Sequence, residues 1–189
     1  FTLARRVEDA CHVLMVATGT GLAPLLSMVR QLGHDAAAGR PVPSKVTLLH
    51  GNRTWAELAF RDELAGIAAA GHLDFVYVPS VSRPGDEQGR EEVGRGRANN
   101  VLRLALGLPM AEEAALEKAR ESGEDATDLE AAGHRAVAPQ LPHGLELAAL
   151  RARIDPARTV VLTCGNPAPM ADIRQVAEDR GMRVEREEW

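Results

Sequence analysis

The sequence predicts a three-layer α/β domain, a doubly wound parallel sheet of about five strands with helices on both faces. Two observations predict it. Four short apolar runs, HVLMVAT (12–18), KVTLLHGN (45–52), DFVYVPSVS (74–82) and TVVLTCG (159–165), are each bounded by turn residues. Their near-continuous apolar character suits strands covered on both faces, as parallel strands are. Helical periodicity recurs between the runs, so strands and helices alternate as in βαβ units.

Each element follows from local pattern. After the first strand, VATGTGLAP (16–24) leaves through two glycines and enters a helix at once, with Leu25, Leu26, Met28, Val29 and Leu32 on one face. Pro24 fits the first helical turn, where its missing N–H costs nothing. The second strand is followed by AELAFRDELAGIAAAG (56–71), where Leu58, Leu64, Ile67 and Ala68 mark a helix. After the fourth strand, MADIRQVAEDRG (170–181) repeats Met170, Ile173, Val176 and Ala177 at helical spacing, and Gly181 suits its stop. MRVEREEW (182–189) supplies a fifth, edge strand. The domain is therefore Rossmann-like.

Residues 111–157 break the rhythm. They are rich in Ala and Glu, carry GEDATD and APQLPHG, and show no strand pattern; AEEAALEKARES (111–122) reads as a short helix. So long a stretch without strands is expected to be a surface insertion, partly helical and partly mobile. Deleting residues 114–153 is then expected to leave the core folded.

Composition sets limits. The 189 residues suffice for one sizeable domain, 45% of them hydrophobic, and no apolar run approaches the ~20 residues of a bilayer span. The opening FTLARRVEDA lacks the features of a secretory signal. Two cysteines, Cys11 and Cys164, make no disulfide framework, and a reducing, cytoplasmic setting is expected. A net charge of −5 argues against nucleic acid as a partner. Among 22 basic residues only Lys45 and Lys118 are lysines, a bias that says nothing by itself about phosphate binding. The histidines show no metal-ligand spacing.

The loop Thr18-Gly19-Thr20-Gly21 carries the first functional signal. Its glycines permit tight backbone angles and remove side chains that would hold a ligand away. The unpaired amides and dipole of the following helix then favour a pyrophosphate. The G-x-G-x-x-G spacing is absent, because Pro24 takes the place of its third glycine. The second strand ends His50-Gly51-Asn52-Arg53, without the acidic residue that would favour NAD, and the third ends Ser80-Val81-Ser82-Arg83.

ATGTGLAPLLSMVRQL (17–32) resembles the pyridine-nucleotide domain of the ferredoxin–NADP⁺ reductase family, whose first turn reads G-T-G-[IL]-A-P. LLHGNRTWAELAFRDEL (48–64), YVPSVSRP (77–84) and LTCGNPAPMADI (162–173) resemble three further stretches of that family in the same order, and Trp189 resembles the terminal aromatic of bacterial members. The resemblance covers residues 1–110 and 158–189. The opening FTLARRVEDACHVLMVATGT resembles the junction that leaves the family's flavin-binding barrel, whose R-x-Y-[ST] motif is nowhere in this chain. The chain is thus expected to be the C-terminal NADP(H)-binding half of a flavoenzyme, with FAD on an upstream β-barrel domain and ferredoxin or flavodoxin as electron partner.

The resemblance also implies roles. Thr18, Gly19, Thr20, Gly21 and Pro24 would cradle the pyrophosphate. Ser82 and Arg83 would hold the 2′-phosphate, with Asn52 and Arg53 nearby. Arg97, in GRANNVLR, matches a G-R pair and would be a further phosphate or adenosine contact; Arg90 and Arg95 are rivals for that place, and Pro84 replaces a usual acid. Cys164, with Gly165, Asn166, Pro167 and Met170 after it, would lie at the nicotinamide and orient hydride transfer, although Met170 also suits the core. Trp189 would stack on the flavin until nicotinamide displaces it. Two other functions fit the same motifs: the reductase component of an oxygenase, and a non-catalytic nucleotide-binding regulator, against which Cys164 and Trp189 argue.

Overall fold

The computed structural model describes residues 11–85 and 90–186. Six parallel strands form one sheet in the order β4-β3-β2-β1-β5-β6. They are β1 (His12–Thr18), β2 (Lys45–Asn52), β3 (Phe75–Val81), β4 (Gly94–Arg95), β5 (Thr159–Cys164) and β6 (Arg183–Arg186). The four predicted apolar runs are β1, β2, β3 and β5, and the predicted edge strand is β6. The sixth strand, β4, is only two residues long and has no periodicity to read.

The helices are α1 (Leu22–Ala37), α2 (Arg61–Ala70), α3 (Ala98–Leu106), α4 (Ala111–Ser122), α5 (Thr127–Arg135), α6 (Leu147–Arg153) and α7 (Pro167–Glu178). Strand alternation divides the core in two. Val13, Met15, Val46, Leu48 and Leu162 face α1 and α2, where Leu25, Val29 and Leu64 meet them. Leu14, Val16, Leu49 and Val161 face the other way, onto Val101 and Leu102 of α3, Leu150 of α6 and Ile173 of α7. Fully burying one such side chain contributes about 1.5–3 kcal/mol, so both layers are needed to hold the sheet.

The insertion divides. Helices α4 and α5 form a hairpin on the surface, with Ala119 its one buried residue among 111–135. Residues 139–154 are structural. Gln140 makes an antiparallel bridge with Arg95, and Gly94 and Gly96 have no side chains because that segment lies against them. Leu150 is 1% exposed, with Leu141, Leu145 and Ile154 packed against the same cluster. Arg153 donates to Thr47 Oγ1 (3.1 Å), the Val46 carbonyl (3.1 Å) and Asp74 Oδ1 (2.7 Å). The expectation that residues 114–153 could be removed whole is therefore corrected: their second half closes one face of the core.

A buried polar seam lies at the start of the sheet. His12 Nε2 is 2.9 Å from Thr47 Oγ1, and its Nδ1 is 3.3 Å from Thr159 Oγ1. Burial, reinforced by the charge of Arg153, lowers the His12 pKa to about 4. Near the other end, His50 Nδ1 lies 2.9 Å from the Tyr77 hydroxyl, and burial lowers its pKa to about 4 as well. Both imidazoles are neutral at pH 7.

Candidate functional site

The strand order reverses at β1, which has β2 on one side and β5 on the other. In open α/β sheets a crevice forms outside the carboxyl ends of the strands at such a point. Here it is a cleft of about 1180 Å³. That exceeds the usual few hundred to a thousand cubic ångströms of a small-molecule pocket and suits an extended ligand.

Two loops make its floor, and they touch. The β1–α1 loop is Thr18–Gly21 and the β5–α7 loop is Gly165–Asn166. Thr18 Oγ1 accepts a hydrogen bond from the Asn166 N–H (2.9 Å). Gly165 has φ +141°, and a Cβ there would sit 2.2 Å from Thr18 Oγ1. A Cβ on Gly21 would meet the Cys164 carbonyl oxygen at 2.2 Å. Gly21 and Gly165 therefore let one loop approach the other. Gly19 differs: its φ is +55° and nothing lies within 4 Å of where a Cβ would be, so it presents bare backbone to the cleft.

Three helices start at this cleft. Neither α1, preceded by Gly21, nor α3, preceded by Arg97, has a side chain capping its first turn. The Leu22 N–H of α1 donates back to the Gly19 carbonyl of the preceding turn, so the unclaimed leading N–H groups are chiefly those of α3, and both helix dipoles favour negative charge at the cleft. Helix α7 is capped by Asn166, whose Oδ1 accepts from the Ala168 N–H (3.1 Å).

The far wall is basic. Arg53, Ser82, Arg83 and Arg97 line it together with Asn52. The Arg83 N–H donates to the Arg53 carbonyl (2.7 Å), which holds the ends of β2 and β3 side by side. Arg53 is tied to Glu57 (2.7 Å), an interaction that lowers the Glu57 pKa. Asn52 is fixed by donating to the Glu57 carbonyl (2.6 Å). Arg97 pairs with Glu112 (3.1 Å).

The predicted residues Thr18, Gly19, Thr20, Gly21, Asn52, Arg53, Ser82, Arg83, Arg97, Gly165 and Asn166 all line this one cleft. Of the three rival arginines, only Arg97 reaches it. Arg90 and Arg95 line a separate cavity of about 340 Å³, where Arg90 stacks 4.2 Å from the Trp55 ring and Arg61 stacks 3.7 Å from it. Pro24, Pro167 and Met170 do not line the cleft. Pro24 and Pro167 occupy helical first turns, and the Met170 sulfur accepts from the Thr163 hydroxyl against the α3–α7 core. Cys164 is not brought to the cleft either: its side chain is 2% exposed, packed in the α1-side core, and its carbonyl is what meets the loops. Trp189 and the opening FTL segment lie outside the described residues.

A family model described as an oxidoreductase NAD-binding domain matches residues 15–116. The chain belongs to that family. Similar proteins include methane monooxygenase component C of Methylosinus trichosporium, 35% identical over 97 residues, which are 51% of this chain and 26% of that protein. NADH-cytochrome b5 reductase 2 of Mus musculus is 30% identical over 73 residues, 39% of this chain and 25% of that protein. This NAD-binding domain thus matches about a quarter of the length of these relatives. Its fold resembles the CS-b5R domains of human Ncb5or in the NAD⁺ form (TM-score 0.56, 13% identity, covering 98% of this chain and 39% of that one). It also resembles the flavohemoglobin of Malassezia yamatoensis (TM-score 0.55, 15% identity, covering 97% and 33%).

Several cleft residues of this domain escape sequence reasoning. Ala98, Asn99 and Asn100 open α3; Glu112 and Arg135 come from the inserted hairpin. Helix α3 carries buried Val101, Leu102 and Ala105 at helical spacing, a signal that could have placed its start at the site. Nothing in sequence pairs Glu112 or Arg135 with a loop a hundred residues away. Asp172 is similarly hidden: it receives Arg103 (2.5 Å) and Asn99 (2.8 Å), locking α3 to α7 beneath the cleft.

Proposed function

We propose that the chain binds a pyridine dinucleotide in this cleft, prefers the 2′-phosphorylated form NADP(H), and is the hydride-donor half of a flavin-dependent reductase. Family membership supports the dinucleotide. The observation that carries the preference is the wall at the ends of β2 and β3, where Arg53, Ser82 and Arg83 stand and where, among the described residues lining it, none is an acid placed to take a ribose 2′-hydroxyl. Gly19 and the uncapped start of α1 suit the pyrophosphate; the Gly165–Asn166 loop flanks the nicotinamide end.

When bound, the nucleotide supplies the hydride, and FAD on a companion domain accepts it. The chain orients the nucleotide through its glycine loops and arginines. Hydride transfer needs reacting atoms within roughly 3–3.5 Å, which calls for a second wall contributed by the flavin domain. In this reading Cys164 acts through its carbonyl and its packing, keeping the two floor loops in contact, and Trp189 covers the flavin. Electrons then pass to ferredoxin or flavodoxin. A second reading, the reductase component of an oxygenase, is favoured by the 35% identity to methane monooxygenase component C.

Calorimetric titration of the chain with NADP⁺ and NAD⁺ tests the nucleotide preference; equal affinities overturn the assignment of Ser82 and Arg83. Fusion to a flavin-binding barrel should yield a yellow protein that oxidises NADPH with ferricyanide. Flavin bound stoichiometrically by the 189-residue chain alone would overturn the two-domain reading.

A further inference from the structure

We infer that Arg135, the last residue of α5 in the inserted hairpin, is a phosphate-binding residue of the dinucleotide cleft, so the insertion is part of the binding site. This rests on the dinucleotide reading above. Arg53, Arg83, Arg97 and Arg135 all line the cleft. Arg53 and Arg97 are engaged by Glu57 and Glu112. The side chains of Arg83 and Arg135 make no hydrogen bond or ion pair among the described residues. The one hairpin acid that lines the cleft among the described residues, Glu112, is used by Arg97 and Asn100, while Glu113 is used by the Met110 N–H and Glu130 by Arg120. Arg135 therefore keeps the five donors of its guanidinium for a ligand.

Its position is fixed from both ends of the hairpin. At the front, the Ala111 N–H donates to Asn100 Oδ1 (2.9 Å), and Asn100 Nδ2 donates to Glu112 (2.8 Å). Behind, Arg95 and Gln140 exchange backbone hydrogen bonds of 2.9 and 3.0 Å. A Cβ on Gly96 would lie 2.9 Å from Pro139 Cα, so this strap is seated directly on the sheet edge. Arg135 sits between these anchors, and Ala136 and Val137 after it also line the cleft. At the C-terminal end of α5 the cation is favoured by the helix dipole. A planar fork on a cleft wall, charged and without a partner among the described residues, matches a phosphate oxygen pair.

The ligand group is a phosphate of the dinucleotide, and two phosphates qualify: the pyrophosphate and the 2′-phosphate. Arg135→Ala, Arg135→Lys and the hairpin control Lys118→Ala are titrated with NADP⁺ and NAD⁺ beside the wild-type chain. Arg135→Ala should weaken binding about tenfold or more, the range for a hydrogen bond to a charged group. Weakening of both nucleotides assigns the pyrophosphate, and weakening of NADP⁺ alone assigns the 2′-phosphate. Arg135→Lys should recover part of the loss, Lys118→Ala should bind as wild type, and all should melt at the wild-type temperature because both side chains are exposed. If wild type binds and Arg135→Ala stays within twofold of it for both nucleotides, the inference is overturned and the dinucleotide reading stands. If wild type binds neither nucleotide, both fall.

Discussion

Arg83 and Arg53 stand side by side on the cleft wall, but their surroundings differ. Glu57 already neutralises Arg53, while Arg83 keeps a free guanidinium among the described residues. A phosphate would gain more from the uncompensated charge. Arg83→Ala should therefore cost NADP⁺ binding about 1.5–3 kcal/mol and leave NAD⁺ nearly unchanged. Calorimetry with both nucleotides checks it, and a parallel loss for NAD⁺ would move Arg83 away from the 2′-phosphate. Cys164 calls for the opposite kind of test. Its side chain fills space among Leu22, Leu25 and Leu162 rather than facing ligand. Cys164→Ala should lower stability by about 1 kcal/mol, roughly 2–4 °C in Tm for a domain of this size. A melting temperature equal to wild type would show that the sulfur contributes nothing to packing.

At the scale of elements, legibility followed how much of the signal was local. β1, β2, β3 and β5 are covered on both faces, so each advertises itself as an apolar run. The site is half legible for the same reason: Thr18–Gly21 and Gly165–Asn166 sit where such runs end, and glycine marks the turns. β4 could not be read because two residues carry no period; only its pairing with Val81 and its bridge to Gln140 define it. The structural half of the insertion is not legible in sequence because Leu141, Leu145, Leu150 and Ile154 are scattered through Ala- and Glu-rich sequence, and their partners belong to β1, β2, α3 and β5. Leu150→Ala should cost 2–5 kcal/mol, the usual range for truncating a buried leucine. Denaturant unfolding measures it, and a loss below about 1 kcal/mol would return residues 139–154 to the surface appendage. Excising only the hairpin between Glu113 and His134 should preserve cooperative unfolding, whereas excising 114–153 should abolish it.

Across the whole molecule, His12 and His50 couple stability to pH. They lie toward opposite ends of the sheet, one at the start of β1 beneath Arg153 and one near the end of β2 beside Tyr77. Burial holds both near pKa 4, against 6.5 for an unperturbed imidazole. The unfolded chain therefore binds two protons that the folded chain refuses between pH 6.5 and 4. Where the unfolded state binds more protons, stability rises with pH, so it must fall as pH drops through this window. Lowering pH from 7 to 5 should cost about 2 kcal/mol for each histidine. Among the described residues the carboxylates with lowered pKa values, Asp35, Glu57, Glu63 and Asp125, lose their contribution only below their ordinary values of 3.8 and 4.5, so the interval from pH 5 to 7 isolates the histidines. Urea unfolding of the wild-type chain across that interval should show the decline. His50→Phe, which keeps an aromatic ring beside Tyr77 without a titrating nitrogen, should show about half of it, whatever its absolute stability. A wild-type profile no steeper than that of His50→Phe would mean that His50 takes up its proton in the folded protein.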